Sequence, residues 1–173
     1  PLMSAHTWQL IDWFKTNRGR SSTRLAINSN LGTDVDIDRL LNAIDGVVVD
    51  LYTSNESMLA QAEYIRDGLD WYAWELNMHK LANSNKLRGL HVMCTINALC
   101  LETLPGLLTA FMRYKEQYSS DYPNFTLNIL RFPSFQSPLV LDPDDKFMYM
   151  CQLQSWLNNN RDSEFLHEYE LNQ

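Results

Sequence analysis

Apolar and polar positions fall into blocks along the chain, and the period changes from block to block. Residues 6–14 (HTWQLIDWF) set Trp8, Leu10, Ile11, Trp13 and Phe14 at helical spacing. A polar break comes next at residues 17–22 (NRGRSS), and residues 23–27 read as a short strand. Thr33 and Asp34 are placed to cap a second helix with Val35, Leu40, Leu41 and Ile44 as its apolar face, and Gly46 suits its left-handed end. Val47, Val48 and Val49 are β-branched and continuous, as in a strand buried on both faces that runs to Leu51. Helical patterns recur over 57–65 and 69–82, the second with Trp71, Trp74, Met78 and Leu81 on one side. Residues 90–96 (LHVMCTI) form a third strand pattern, and a helix over 105–114 tolerates Pro105 in its first turn. A fourth strand pattern at 125–130 stops at Arg131-Phe132-Pro133. The last helix covers about residues 144–157, and the acidic C-terminal stretch can continue helically.

Strands that alternate with helices predict βαβ units and an α/β fold with a mostly parallel sheet. About four strands are expected, which makes either part of a (β/α) barrel or a small open sheet. The chain then divides into a barrel-like part over residues 1–142 and a helical C-terminal segment over 143–173. In both architectures ligands gather at the C-terminal ends of the parallel strands. Those positions are Asn28, Ser29 and Asn30; Asp50, Tyr52, Thr53 and Ser54; Thr95 and Asn97; and Asn128, Arg131 and Pro133. Most of these side chains form hydrogen bonds without titrating near neutrality. They suit a rim for a polar small molecule better than an acid–base pair.

Charge and motifs narrow the picture. The net charge of −7 gives no general attraction to nucleic acid, whose binding rests on phosphate neutralisation. Trp71, Tyr72 and Trp74 sit among Asp67, Asp70 and Glu75, so helix packing is expected of them rather than base stacking. No stretch approaches the ~18 apolar residues of a membrane span, and no signal peptide is evident. Glycine-rich phosphate loops, HExxH and GxSxG are absent. His6, His79, His91 and His167 are scattered without metal-ligand spacing, and no metal ligand is assigned. Asp34, Asp36 and Asp38 suit a helix start, as does the run Asp142-Pro143-Asp144-Asp145. Three widely spaced cysteines, Cys94, Cys100 and Cys151, are expected to be free and buried in a reducing cytoplasm.

The order and content of these blocks resemble the radical S-adenosylmethionine (radical SAM) enzymes, with the closest likeness to twitch- or SPASM-like members. Three places carry the resemblance. Residues 1–3 (PLM), with the first helix after them, look like the end of the family's GGEP motif after its second barrel strand. Residues 52–77 (YTSNESMLAQAEYIRDGLDWYAWELN) look like the end of its fourth strand and the segment beyond it. Residues 92–111 (VMCTINALCLETLPGLLTAF) look like its fifth strand and helix. The strand patterns at 23–27, 47–51, 90–96 and 125–130 then stand for barrel strands three to six.

The resemblance implies that Ser54 hydrogen-bonds the cofactor ribose and that Arg66 pairs with the carboxylate of its methionine moiety. It implies that Asn28 and Ser29 line the cofactor or substrate rim, that Asn97 hydrogen-bonds the cofactor, and that Arg131 and Pro133 border the adenine. Each residue has a simpler reading: a turn for Asn28, Ser29 and Ser54, a surface pair with Glu63 or Asp67 for Arg66, a helix-entry cap for Asn97, and a strand stop for Arg131 and Pro133. The family reductively cleaves S-adenosylmethionine to a 5′-deoxyadenosyl radical on a 4Fe–4S cluster held by C-x-x-x-C-x-x-C. No such run occurs here, so the chain reads as a truncated member that lacks the cluster ligands. Two alternatives stay open: a cluster-free α/β module binding a nucleotide-like ligand, or an inactive fragment that associates through its open sheet edges. The substrate class, small molecule or peptide, is unassigned.

Overall fold

The computed structural model describes residue 2 and residues 4–17, 24–118 and 121–173. Pro1 and Thr23 lie outside the described residues, as does most of the polar break at 17–22. The elements are α1 (Ala5–Thr16), β1 (Leu25–Asn28), α2 (Ile37–Ala43), β2 (Val49–Ser54), α3 (Leu59–Ile65) and α4 (Trp71–Asn83). They continue with β3 (Gly89–Ile96), α5 (Leu104–Tyr118), β4 (Asn124–Ile129), α6 (Pro143–Asn160) and α7 (Glu168–Leu171). The four strands form one parallel sheet in the order β1-β2-β3-β4. The fold is therefore α/β, and the sheet is open rather than closed. Because the order never reverses, right-handed crossovers place the connecting helices on one face. Contacts of α1 with α2, α2 with α4, α4 with α5 and α5 with α6 result from this.

The sheet has one covered and one uncovered face. Leu25, Ile27, Val49, Leu51, Leu90, Val92, Cys94 and Phe125 are buried and alternate with more polar neighbours. The helices add Trp71, Trp74, Leu107 and Phe111 to that core. Trp71 and Trp74 stack at 5.3 Å, and the Trp74 indole N–H donates to Thr53 Oγ1 at 3.3 Å. The opposite face carries Asn28, Tyr52, His91 and Asn124 side by side in register, with Ser54, Met93 and Thr126 in the next row.

Three local expectations change. The second helix starts at Asp36, whose Oδ1 accepts from Arg39 N–H at 2.9 Å, rather than at Thr33-Asp34, because Asp36 alone has the helical turn behind it. The second strand starts at Val49, and Val48 is exposed, so the valine run is not buried on both faces. The helices cover only one side, and Asp50, Tyr52 and Ser54 face the other. Of the cysteines, Cys94 and Cys100 are buried but Cys151 is exposed on α6. The Asp142 cap is as expected: its Oδ1 accepts from Asp144 and Asp145 N–H at 3.0 and 2.9 Å. Near the β4 edge, α6 and α7 pack Tyr149, Leu153, Trp156 and Leu171 against the same core.

Candidate functional site

The loops that leave β1 and β2 form a polar rim. Ser29 N–H extends the ladder by donating to Tyr52 O at 2.9 Å, and its Oγ then accepts from Leu31 N–H at 3.3 Å to turn the chain. Leu31 has a positive φ of 52° and is fully buried. A leucine in the left-handed region costs roughly 1–3 kcal/mol unless its surroundings impose it. Burial does so here, together with Asn77 of α4, whose Nδ2 donates to the carbonyls of Leu31 and Gly32 at 3.1 and 3.4 Å. Asn77 was not legible as a site residue, because on sequence it is one polar residue inside a helix pattern.

After β2, Asn55 Oδ1 accepts from Ser57 N–H at 3.3 Å, and the Ser57 and Thr103 hydroxyls lie 2.6 Å apart. Glu56 is buried, and Arg66, just past the end of α3, donates from Nε and Nη2 to its Oε2 at 3.0 and 2.6 Å. A carboxylate taken out of water needs such a partner. Arg66 therefore pairs with Glu56, not with Glu63 or Asp67. Glu63 instead accepts from Trp71 N–H at 2.9 Å. Gly68, with φ of 77°, turns the chain away in a conformation that suits glycine.

Two adjoining hollows open at this rim. The larger, about 490 Å³, is lined by Asn28, Ser29, Asn30 and the 31–35 turn. The smaller, about 290 Å³, is lined by Ser54, Arg66, Asp67 and Leu69, and Asn30, Gly32 and Gly68 border both. The structure thus brings Asn28, Ser29, Ser54 and Arg66 together. Asn97 is buried at the end of β3, but its side chain closes its own turn, with Nδ2 donating to Thr95 O and Oδ1 accepting from Leu99 N–H. Arg131 and Pro133 come after β4, two strands from β2, and line neither hollow. Arg131 is exposed, and the Pro133 carbonyl starts a short 3-10 turn.

A second polar cluster lies lower on the uncovered face. Asp50 is buried, and Arg88 donates to it from Nε to Oδ1 at 2.8 Å and from Nη2 to Oδ2. His91 Nε2 lies 3.9 Å from Asp50 Oδ1, and its ring stacks on Tyr52 at 4.6 Å. Burial lowers the His91 pKa from its ordinary value, outweighing the upward pull of Asp50. Gly89 permits this approach: a Cβ there would lie 2.5 Å from His91 Nε2 and 3.0 Å from Asp50 Oδ1. The sequence signal for this face was the alternation Asp50, Tyr52, Ser54 on one strand.

An iron–sulfur cluster and S-adenosylmethionine, the two groups the radical SAM resemblance implies, need different donor sets. Burial pushes the Cys94 thiol well above its usual range and Cys100 up to about 11. Cys100 Sγ is also committed to Asn97, donating to its carbonyl at 3.2 Å. A cluster needs several thiolates at fixed mutual geometry; Cys94 and Cys100 are two, both buried, and Cys151 is exposed on α6, so these cysteines do not fit an iron–sulfur cluster. Among the described residues, no group of three or more His, Cys, Asp or Glu side chains could hold a metal ion. The hollows present uncharged hydrogen-bonding groups from Ser54, Asn28 and Asn30, the Arg66 guanidinium and the Asp67 carboxylate. Both Arg66 nitrogens in contact with Glu56 share one oxygen, so a ligand carboxylate meets a guanidinium that is already partly engaged. Among the described residues, no helix is long and apolar enough to cross a membrane. No family model, curated protein or solved structure matches the chain.

Proposed function

We propose that this chain is the central part of a radical SAM barrel and that its β1–β2 rim binds S-adenosylmethionine. The observation that carries the reading is that Ser54 and Arg66 meet at one polar hollow, at the C-terminal ends of parallel strands laid in sequential order. In this reading Ser54 and Asn28 hydrogen-bond the ribose or amino-acid end of the ligand, and Arg66 supplies charge to its carboxylate. A ligand reaching across the sheet to Arg131 and Pro133 would span two strand spacings, roughly 10 Å. S-adenosylmethionine held at the rim would be the source of a 5′-deoxyadenosyl radical beside a reduced cluster, which Cys94 and Cys100 would not hold. This chain's own residues bind and orient it. A cytoplasmic setting, and a small-molecule or peptide substrate, belong to the same proposal.

Calorimetry with S-adenosylmethionine on the wild-type chain, Ser54→Ala and Arg66→Ala tests it. The expected result is binding by the wild type that weakens about tenfold for each variant, the effect of one lost polar contact of this class. Equal binding by all three removes the site assignment. A second reading, a cluster-free binding module, is favoured by the placement of the cysteines, Cys94 and Cys100 buried and Cys151 exposed on α6. It predicts that adenosine or a nucleotide binds at least as tightly as S-adenosylmethionine in the same titration.

A further inference from the structure

The outer edge of β4 is occupied by side chains from the C-terminal turn. Leu130 N–H donates inward to Ile96 O, so the even-numbered backbone groups of β4 face β3 and the odd-numbered ones face outward. Three of those outward groups are taken. Phe125 N–H donates to Glu170 Oε1 at 3.0 Å, Phe125 O accepts from Gln173 Nε2 at 3.1 Å, and Leu127 N–H donates to Gln173 Oε1. The Gln173 amide therefore bridges the carbonyl before Thr126 and the N–H after it. The N–H and C=O of one residue in a parallel neighbouring strand would make the same two bonds. Glu170 is held in place by the fully buried Lys115, whose Nζ donates to Oε1 and Oε2 at 3.0 and 2.7 Å and to Phe165 O at 3.0 Å.

We propose that residues 163–173 form a strand-mimicking cap that stands where a fifth parallel strand would pair, and that the cap keeps the β4 edge from joining a second copy of this chain. An uncapped edge would present three unpaired backbone groups next to Ile129, Phe132 and Phe135, which are all exposed. Such a combination favours pairing with an identical edge. The inference does not depend on what the rim at β1 and β2 binds.

The test uses the full chain in three forms: wild type, Gln173→Ala, and a triple variant Lys115→Met/Glu170→Leu/Gln173→Ala that removes all the edge bonds without stranding a buried charge. Amide hydrogen exchange should speed up about tenfold at Leu127 in Gln173→Ala, the effect of one lost hydrogen bond. The triple variant should self-associate with concentration in sedimentation velocity, while the wild type does not. Unchanged exchange at Leu127 in Gln173→Ala overturns the cap, whether or not the triple variant folds. A folded triple variant that stays monomeric at the same concentrations overturns its role against self-pairing.

Discussion

Two buried carboxylates, Glu170 and Glu56, are each met by one cation, but their surroundings differ. The Lys115 and Glu170 side chains are both 0% exposed, and Glu170 also accepts from Phe125 and His167 N–H. Every oxygen contact is internal, and the pair joins α5, β4 and α7 into one body. Around Glu56 only the acid is buried: the Arg66 side chain keeps 25% of its exposure and borders a hollow. A pair sealed from water acts as a fastening, because breaking it leaves a charge with no alternative partner. A pair with one member at a rim loses less when it is broken, because water can reach the acid that is left.

The sharpest way to break this comparison is to remove one member of the sealed pair. Lys115→Ala or Glu170→Ala is expected to lower unfolding stability by about 3–5 kcal/mol, whereas Lys115→Met/Glu170→Leu should recover most of it. Urea unfolding of the four chains measures this, and a loss below about 1 kcal/mol would mean the pair is not sealed. Arg66→Ala should cost less, about 1–3 kcal/mol, since water can reach the Glu56 oxygen once the guanidinium has gone. Adding Glu56→Gln to it should restore part of the loss. A cost for Arg66→Ala equal to that for Lys115→Ala would erase the distinction.

The smallest effect concerns a third carboxylate, Asp50, which shares its surroundings with both Arg88 and His91. His91 has a folded pKa below its ordinary 6.5. As pH falls through 6.5 the unfolded chain takes up this proton before the folded chain does, so stability falls from 6.5 down to the lower folded value and is unaffected above 6.5. His91→Gln should flatten that part of the stability curve. A slope in that window that persists in the variant would assign it to another group.

The period changes along the chain were enough to place four strands and the main helices, since amphipathic helices and half-covered strands leave periods of 3.6 and 2 in the sequence. They placed Asn28, Ser29 and Ser54 at strand ends, and these do line the rim. They did not separate Asn97, which spends its amide on its own turn, from residues free to meet a ligand. Nor did they find Glu56 as the partner of Arg66. The two lie ten positions apart across loop and helix, and local pairing rules reach only three or four residues.

The list of elements and their alternation was determined by the sequence alone, because these depend on neighbours within a turn or a strand. Which sheet face stays uncovered, why Val48 is exposed, and how Glu170 and Gln173 reach the β4 edge were decided only by tertiary structure. Those outcomes depend on the hand of successive crossovers and on contacts across about 45 residues, between a backbone edge and two polar side chains with no pattern to mark them.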